Sequence, residues 1–427
     1  MNNFLKKNLE FFFYFIPIFF LFPQSYLTIF SVLFIILSLY LLKKNNLKIK
    51  YDILDKILFF FFILIIYSSL KFQLESKIRI LDFDIIKSIS LLRFFLIYVL
   101  IKNLASYNFI NFKKFFYVSL VCCLFLSINI ISIHMFGQDF FGNKKLESIN
   151  RYSSIFGDRA VAGSYILNFF FFGIIYLYYV KHNFLLKFFF LIITSLGILL
   201  TFDRSPYILF VFSLIFLGIL NLKYNPKFFF AAIIAIFLNI IISFNYKDLK
   251  IRNASAINSI SKFTKNFVDN KNQIKGHTYQ YYEIYNESLS IIFYSYTFFG
   301  SGARSFPKRC TVHRQSTNPE SIDLGYALAC PRHSHNLYLE IAVSSGLIGF
   351  AIFTIFLILK TKTFVDKGIV LFKQKSENFI IFTFLLVSFI TELMPRPYGN
   401  VFNTYNGFFI FFKLAFVYAL IKQKKFI

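Results

Sequence analysis

Two of the chain's six histidines, His333 and His335, stand two residues apart in the stretch RHSHNLYLEIAVSSGLIGF, which begins at Arg332. Asn336 suits the N-cap of a helix starting at Leu337, because its side chain can accept the orphan N–H bonds of a first turn. His335 then lies directly before a helix N-terminus, where partial positive charge and unpaired N–H groups favour an anion. An imidazole there titrates near neutral pH and can take a proton from a hydroxyl. The plainer alternative is a loop histidine bonded to the backbone. His333 and His335 could also share a metal, but no Cys, Asp or further His at fitting spacing completes a ligand set, so neither a metal nor a cofactor is implied. Glu340, one turn further on, is costly inside a membrane unless it faces a polar cavity or a cation. Ser345, Gly346 and Gly349 form a small-residue stripe on which a second helix can pack closely.

Arginines offer the complementary chemistry, since a planar guanidinium can fork onto two oxygens of a phosphate. Arg204, in TFDRSPY, occupies a tight turn between two apolar runs, where a pair with Asp203 is the alternative. Arg159, in FGDRAVAGSY, has the same choice with Asp158, and Arg304 follows an apolar run in FFGSGARSF. Arg93 falls near the middle of an apolar run, where a charge is either functional or half of an interior ion pair. Lys413, in the last run, either snorkels or pairs. These residues outline a site for a lipid-linked anion, with arginines on a phosphate and a histidine near a reacting hydroxyl.

The elements that must position them are membrane helices. The chain is 57% hydrophobic and 15% charged with a mean hydropathy of +0.63, which excludes an ordinary soluble domain. Its 66 phenylalanines serve as the default apolar residue. The formal charge of +26 lies mostly between apolar runs and forms no basic stripe on a soluble module, which argues against nucleic acid. A helix crossing a bilayer needs roughly 20 apolar residues, and about 12 stretches approach that length. They are 11–22, 26–42, 53–70, 83–101, 112–135, 162–180, 184–202, 207–220, 228–244, 337–359, 379–394 and 405–421. Lys6 and Lys7 precede the first without a small-residue cleavage site, so it reads as a retained span. Basic residues favour alternate connections, among them 43–56, 102–114, 360–375 and 422–425, which puts both termini inside.

The expected fold is therefore all-α, a polytopic transmembrane helical bundle. Its parts are membrane helices over 1–244, one large outer loop over 245–336 and further membrane helices over 337–427. Within the loop the apolar run 289–299, closed by Gly300 and Gly302, is too short to span and reads as an interfacial or re-entrant helix. Cys310 and Cys330 share that loop, where a disulfide would persist in an oxidising compartment; the alternative is two free thiols. Cys122 and Cys123 lie within a span and read as packing residues.

With these residues in place the sequence resembles the O-antigen ligase and polymerase superfamily. The resemblance rests on the His-Asn motif with Leu-Glu and two glycines after it, here His335, Asn336, Leu339, Glu340, Gly346 and Gly349. The turn in FFGSGARSF and Arg204 with Ser205 match less specifically. Ser345 departs from the pattern, which has an acidic residue before Gly346. The resemblance implies an inverting, metal-independent glycosyl transferase in the bacterial inner membrane, working on the periplasmic face. Its donor would be a glycan on undecaprenyl diphosphate, and its acceptor the lipid A core or, for a polymerase, another carrier-linked glycan. The expected site has His335 as catalytic group and Arg204, Arg159 and Arg304 on the diphosphate, with Asn336, Glu340 and His333 in support. A transporter of lipid-linked solutes is the rival, marked by intramembrane charges and broken helices near the midplane.

Overall fold

The computed structural model describes residues 2–75, 84–145, 151–157, 159, 161–246, 249–250, 277–295, 297–310, 330, 333–374, 378–395 and 400–422. The helices in chain order begin with α1 (Asn2–Tyr14), α2 (Ile16–Phe19), α3 (Gln24–Lys44), α4 (Ile53–Glu75), α5 (Asp84–Ser90), α6 (Leu92–Ser106), α7 (Phe112–Phe136) and α8 (Ala162–Tyr179). They continue as α9 (Phe184–Leu200), α10 (Arg204–Asn221), α11 (Pro226–Asn245), α12 (His277–Ser290), α13 (Leu337–Lys373), α14 (Asn378–Leu393) and α15 (Thr404–Lys422). The described chain is a polytopic helical bundle without a β-sheet. Helices α3, α4, α7, α8, α10, α11 and α13 are long and apolar enough to cross a membrane, and α9, α14 and α15 are shorter apolar helices.

Two of the twelve expected spans are not single helices. Pro17, which lacks an N–H, sits in the first turn of α2 and divides the first span into α1 and α2. The span expected over 83–101 is divided at Leu91, where Ser90 Oγ donates to the Lys87 carbonyl at 2.6 Å and the chain restarts as α6. Helix α13 runs past its apolar stretch into the lysine-rich segment 360–375, which is therefore helical as far as Lys373. Lys360 is fully buried, its Nζ 3.4 Å from the centre of the Tyr418 ring and 4.6 Å from that of Tyr98. Aromatic faces can hold a cation away from water, so a lysine closing an apolar run need not mark a helix end.

Cross-chain hydrogen bonds sort the helix ends into two sets. At one end Asn221 Nδ2 donates to Thr383 Oγ1 at 2.8 Å, Tyr224 OH donates to the Phe372 carbonyl at 3.0 Å, and Tyr418 OH donates to Asp52 Oδ2 at 3.0 Å. At the other, Tyr152 N–H donates to the Thr201 carbonyl at 3.4 Å, and Tyr338 OH donates to the Leu393 carbonyl at 2.5 Å. Because α10 and α14 run antiparallel from the Asn221–Thr383 contact, Arg204 and Leu393 share the second end, and Tyr338 brings the start of α13 there too. Phenylalanines fill the space between. Phe13 packs on Phe115 and Phe416 with ring centres 5.5 and 5.8 Å apart.

At the first end Asp52 and Asp55 cap α4 reciprocally, each carboxylate accepting the other residue's N–H at 3.1 and 2.7 Å. Lys102 bridges both carboxylates, reaching Asp52 at 3.0 Å. Asp55 is fully buried, so removing its cation leaves an uncompensated charge. Lys102→Ala should therefore destabilise the fold by about 3–5 kcal/mol. In thermal unfolding of the purified protein it should cost far more than Lys102→Met combined with Asp55→Leu; equal losses would show that the pair contributes no net electrostatics.

Candidate functional site

Helix α13 is broken at Gly346, whose φ of 67° and ψ of −174° lie outside the helical region. The break falls about 14 Å along the axis from Leu337 at 1.5 Å per residue. In an unbroken helix the N–H groups of Leu347 and Ile348 would bond to Val343 and Ser344. Here they donate instead to the carbonyls of Thr297 and Phe298 at 2.8 and 3.2 Å. The freed carbonyls of Val343 and Ser344 accept from Ser301 N–H at 3.0 Å and Gly302 N–H at 2.8 Å. A loop thus splints the helix, exchanging two lost helical bonds for four across the junction. Ser68 of α4 also donates its hydroxyl to the Phe299 carbonyl.

The apolar run itself differs from the sequence expectation. The run 289–299 is the end of α12, a π-helical turn Ile291–Ser295 and a turn over 297–299, not a separate helix. At Gly346 the small-residue stripe receives this loop's backbone, whereas at Gly349 it lies against Leu64 of α4, a second helix as expected. A Cβ on Gly346 would lie 2.3 Å from the Phe298 oxygen, and one on Gly300 2.4 Å from the Gly346 nitrogen. Ser345, at the departure from the family pattern, donates back to the Ile341 carbonyl at 2.7 Å. Beyond the splint, Cys310 and Cys330 are joined by a disulfide across 20 residues.

The His-Asn segment forms a compact turn at the start of α13. Asn336 accepts from the N–H groups of Tyr338 at 2.9 Å and Leu339 at 3.2 Å, the capping expected of it. His335 N–H donates to His333 Nδ1 at 3.2 Å, and the two rings lie 3.9 Å apart. That bond requires Nδ1 of His333 to be an acceptor, so a neutral ring carries its proton on Nε2. Burial, with the neighbouring His335 charge, pushes His333 down to about 4, and burial likewise pushes His335 below its ordinary value. Both rings are therefore neutral at pH 7. Glu340 is buried, and its Oε2 accepts from Ser334 N–H at 2.9 Å and Ser334 Oγ at 2.8 Å. Most N–H groups left for an anion by the sequence reading are thus used within the turn.

Arg304 lies two residues beyond the splint, in a left-handed conformation with φ 61°, and donates to the Phe402 carbonyl through Nε at 3.3 Å and a terminal nitrogen at 3.0 Å. Its charge reaches Glu340 attractively and Arg93 repulsively. Arg93 donates to Thr404 Oγ1 at 2.8 Å, so two guanidiniums converge on 402–404. A second group gathers at the start of α10. Asp203 is engaged by Arg151 at 2.8 Å, and Arg151 in turn lies within electrostatic range of Arg204. Arg159 is exposed on the segment leading into α8; its alternative partner Asp158 lies outside the described residues. Lys413 pairs with Glu392 at 3.2 Å inside the bundle, beside Asn168 Oδ1 at 3.5 Å.

The sequence reading assigned no role to Ser334, Arg151 or Thr404. Ser334 had a signal, a small polar residue between two histidines and two before a capping Asn. Arg151 was visible only as an outer basic residue, because its pairing with Asp203 is set by tertiary contact.

A multi-pass helical membrane protein with a histidine turn and clustered arginines at one end is the class that the fold and site define. Residues 189–354 match the family model described as O-antigen ligase, and this match supports the O-antigen ligase superfamily for that part of the chain. No curated protein matched the chain. The matched segment holds Arg204, Arg304, both loop cysteines, His333, His335, Asn336 and Glu340, while Arg93 and Arg159 precede it. It supports, in general terms, a membrane enzyme of glycosyltransferase type acting on lipid-linked glycan and an acceptor.

Gly302→Ala and Gly346→Ala should each destabilise the protein by more than about 2 kcal/mol, from left-handed strain plus backbone clash. Both disrupt one junction, so the double variant should lose less than the sum of the singles in thermal unfolding. Strict additivity would show that the loop and the break are independent.

Proposed function

We propose that this protein is an O-antigen ligase-like glycosyl transferase that moves a glycan from undecaprenyl diphosphate to a hydroxyl of the lipid A core at the periplasmic face of the inner membrane. The observation that carries this reading is the neutral His333–His335 turn, linked through Ser334 and Glu340 to the field of Arg304. The large loop's disulfide also suits an oxidising compartment, and the ends grouped with Arg204 and Tyr338 are those that lysine bias assigns to the outside.

In this reaction the acceptor hydroxyl attacks the anomeric carbon from the face opposite the diphosphate. The bond from that carbon to the phosphate oxygen breaks, and undecaprenyl diphosphate leaves with the electron pair. His335 orients the hydroxyl and takes its proton. Arg204, Arg159 and Arg304 hold the diphosphate as its charge grows, a preorganised electrostatic contribution, and Arg93 adds a fourth cation on the Arg304 side. The mechanism is inverting and uses no metal. A polymerase would run the same steps with a carrier-linked glycan as acceptor, and the domain match covers that chemistry equally.

The break at Gly346 and the Glu392–Lys413 pair favour a second reading as a transporter of lipid-linked glycan. Broken helices in transporters bind cargo through their freed backbone groups. At Gly346 those groups are taken by the Thr297–Phe298 carbonyls and the Ser301–Gly302 N–H groups, which weighs against transport. A bound lipid diphosphate at the outer rim supports the transferase, and one in an alternately accessible midplane cavity supports transport.

Purified protein in lipid, supplied with undecaprenyl-diphosphate glycan and lipid A core, should transfer glycan to the core. His335→Ala should reduce this by about 10²–10⁴-fold, the usual worth of general base catalysis, at unchanged protein level. Arg204→Lys should also impair transfer if the guanidinium fork matters; full activity in either variant removes that residue from the mechanism.

The pH dependence has a definite sign. Because His335 is held below its ordinary value by burial, its neutral form persists through neutrality and is lost only on acidification. Initial transfer rates should be flat above about pH 6.5, the unperturbed histidine value, and fall below it. A fall centred above that value would mean that another group controls the rate.

A further inference from the structure

We propose that Glu340 is a positioning residue for the transfer reaction, acting through Ser334 to hold His335 in its working conformation; this rests on the role given to His335 above. Glu340 is 2% exposed and Ser334 fully buried, so neither carboxylate nor hydroxyl is placed to touch a substrate. One oxygen, Oε2, takes both donors of Ser334, its N–H and its Oγ–H. The other, Oε1, is buried with no hydrogen-bond partner. An acceptor-only carboxylate suits two donors converging from one residue, and its charge strengthens both bonds.

The consequence falls on the residues either side of Ser334. His335 has φ 53°, a left-handed conformation that a residue with a Cβ keeps only where its surroundings over-determine it. Three contacts do so here. Glu340 fixes residue 334, the His333 ring accepts the N–H of residue 335, and the Asn336 side chain caps the helix that follows. Asn336 and His333 act on the turn from its two ends, and Glu340 anchors its middle through Ser334, whose Oγ also reaches the Asn336 carbonyl at 3.3 Å. The attraction between Arg304 and Glu340 ties this anchor to the splinting loop. The two Ser334 bonds offset part of the cost of burying this carboxylate, and a residue proposed to hold the leaving group adds a smaller contribution.

The test compares Glu340→Ala, Ser334→Ala, the double variant and Glu340→Gln in lipid, with undecaprenyl-diphosphate glycan and lipid A core as substrates. Each Ala variant should lower kcat by about tenfold or more with donor KM nearly unchanged, the mark of a group acting on the reacting step. The double variant should be no worse than the poorer single, since both remove one linkage. Glu340→Gln, whose carbonyl oxygen can still accept from Ser334, should recover most of the rate. Multiplying losses in the double variant, or a loss confined to donor KM, overturns the proposal. A readout independent of turnover is the nitrogen-15 spectrum of histidine-labelled protein in lipid nanodiscs. In the parent protein His333 should be a neutral ring protonated on Nε2, and Glu340→Ala should shift both the His333 and His335 signals. If those signals are unchanged in Glu340→Ala, the proposal fails whatever the activity. If they shift as expected but the parent transfers no glycan, it is the transferase reading that fails.

Discussion

Every backbone N–H and C=O inside a membrane needs a partner from within the protein, because lipid supplies none. That constraint decides the architecture around Gly346. A helix broken midway exposes two carbonyls and two N–H groups, each costly if left bare. The loop over 297–302 supplies all four partners at 2.8–3.2 Å. Such an exchange requires backbone to touch backbone, which only glycine permits at Gly300 and Gly346. The splint therefore keeps the broken helix's backbone satisfied at that depth. It also fixes Arg304, two residues beyond Gly302, against the half-helix that carries Asn336 and Glu340.

The same economy of partners governs the buried charges. Lys102 is closed by two carboxylates, Lys413 by Glu392, and Lys360 lies over the rings of Tyr98 and Tyr418. These are local settlements of the kind expected for charges within a bundle. The group around residues 402–404 differs in balance. Arg93 and Arg304 repel one another there, with Glu340 the carboxylate that Arg304 attracts. Two guanidiniums in a low dielectric are more favourable with an anion between them than without one. That asymmetry, rather than charge burial alone, is what supports the proposal that this group meets a phosphate.

Much of this was legible in the sequence. Asn336 capping a helix at Leu337 follows from local rules, because a cap and its donors lie within three residues of one another. Seven spans follow from hydropathy, since crossing a bilayer imposes length on composition. The short run 289–299 was recognisable as unable to span. What failed was everything set by partners distant in the chain. The rings that cage Lys360 come from residues 98 and 418, so its burial has no local signal. Asp203 also pairs with Arg151, fifty-two residues earlier, a contact with no local signal. The stripe meets Leu64 of α4 at Gly349 but a loop at Gly346, because spacing reports that small residues permit close approach and says nothing of whether a helix or a loop arrives.

His335 and Arg304 add a last physical point. Both hold left-handed backbone with a full side chain, a conformation that glycine would adopt at no steric cost. Each is thus a place where local preference is overridden, at about 1 kcal/mol or more. They lie on opposite sides of one splinted junction, and each side chain is what glycine would remove. Asn46, Asn108, Ser154, Lys181 and Phe202 also hold left-handed backbone, so that geometry alone does not select a site. At His335 it is the Ser334–Glu340, His333 and Asn336 contacts that hold the turn where the proposed reaction needs it.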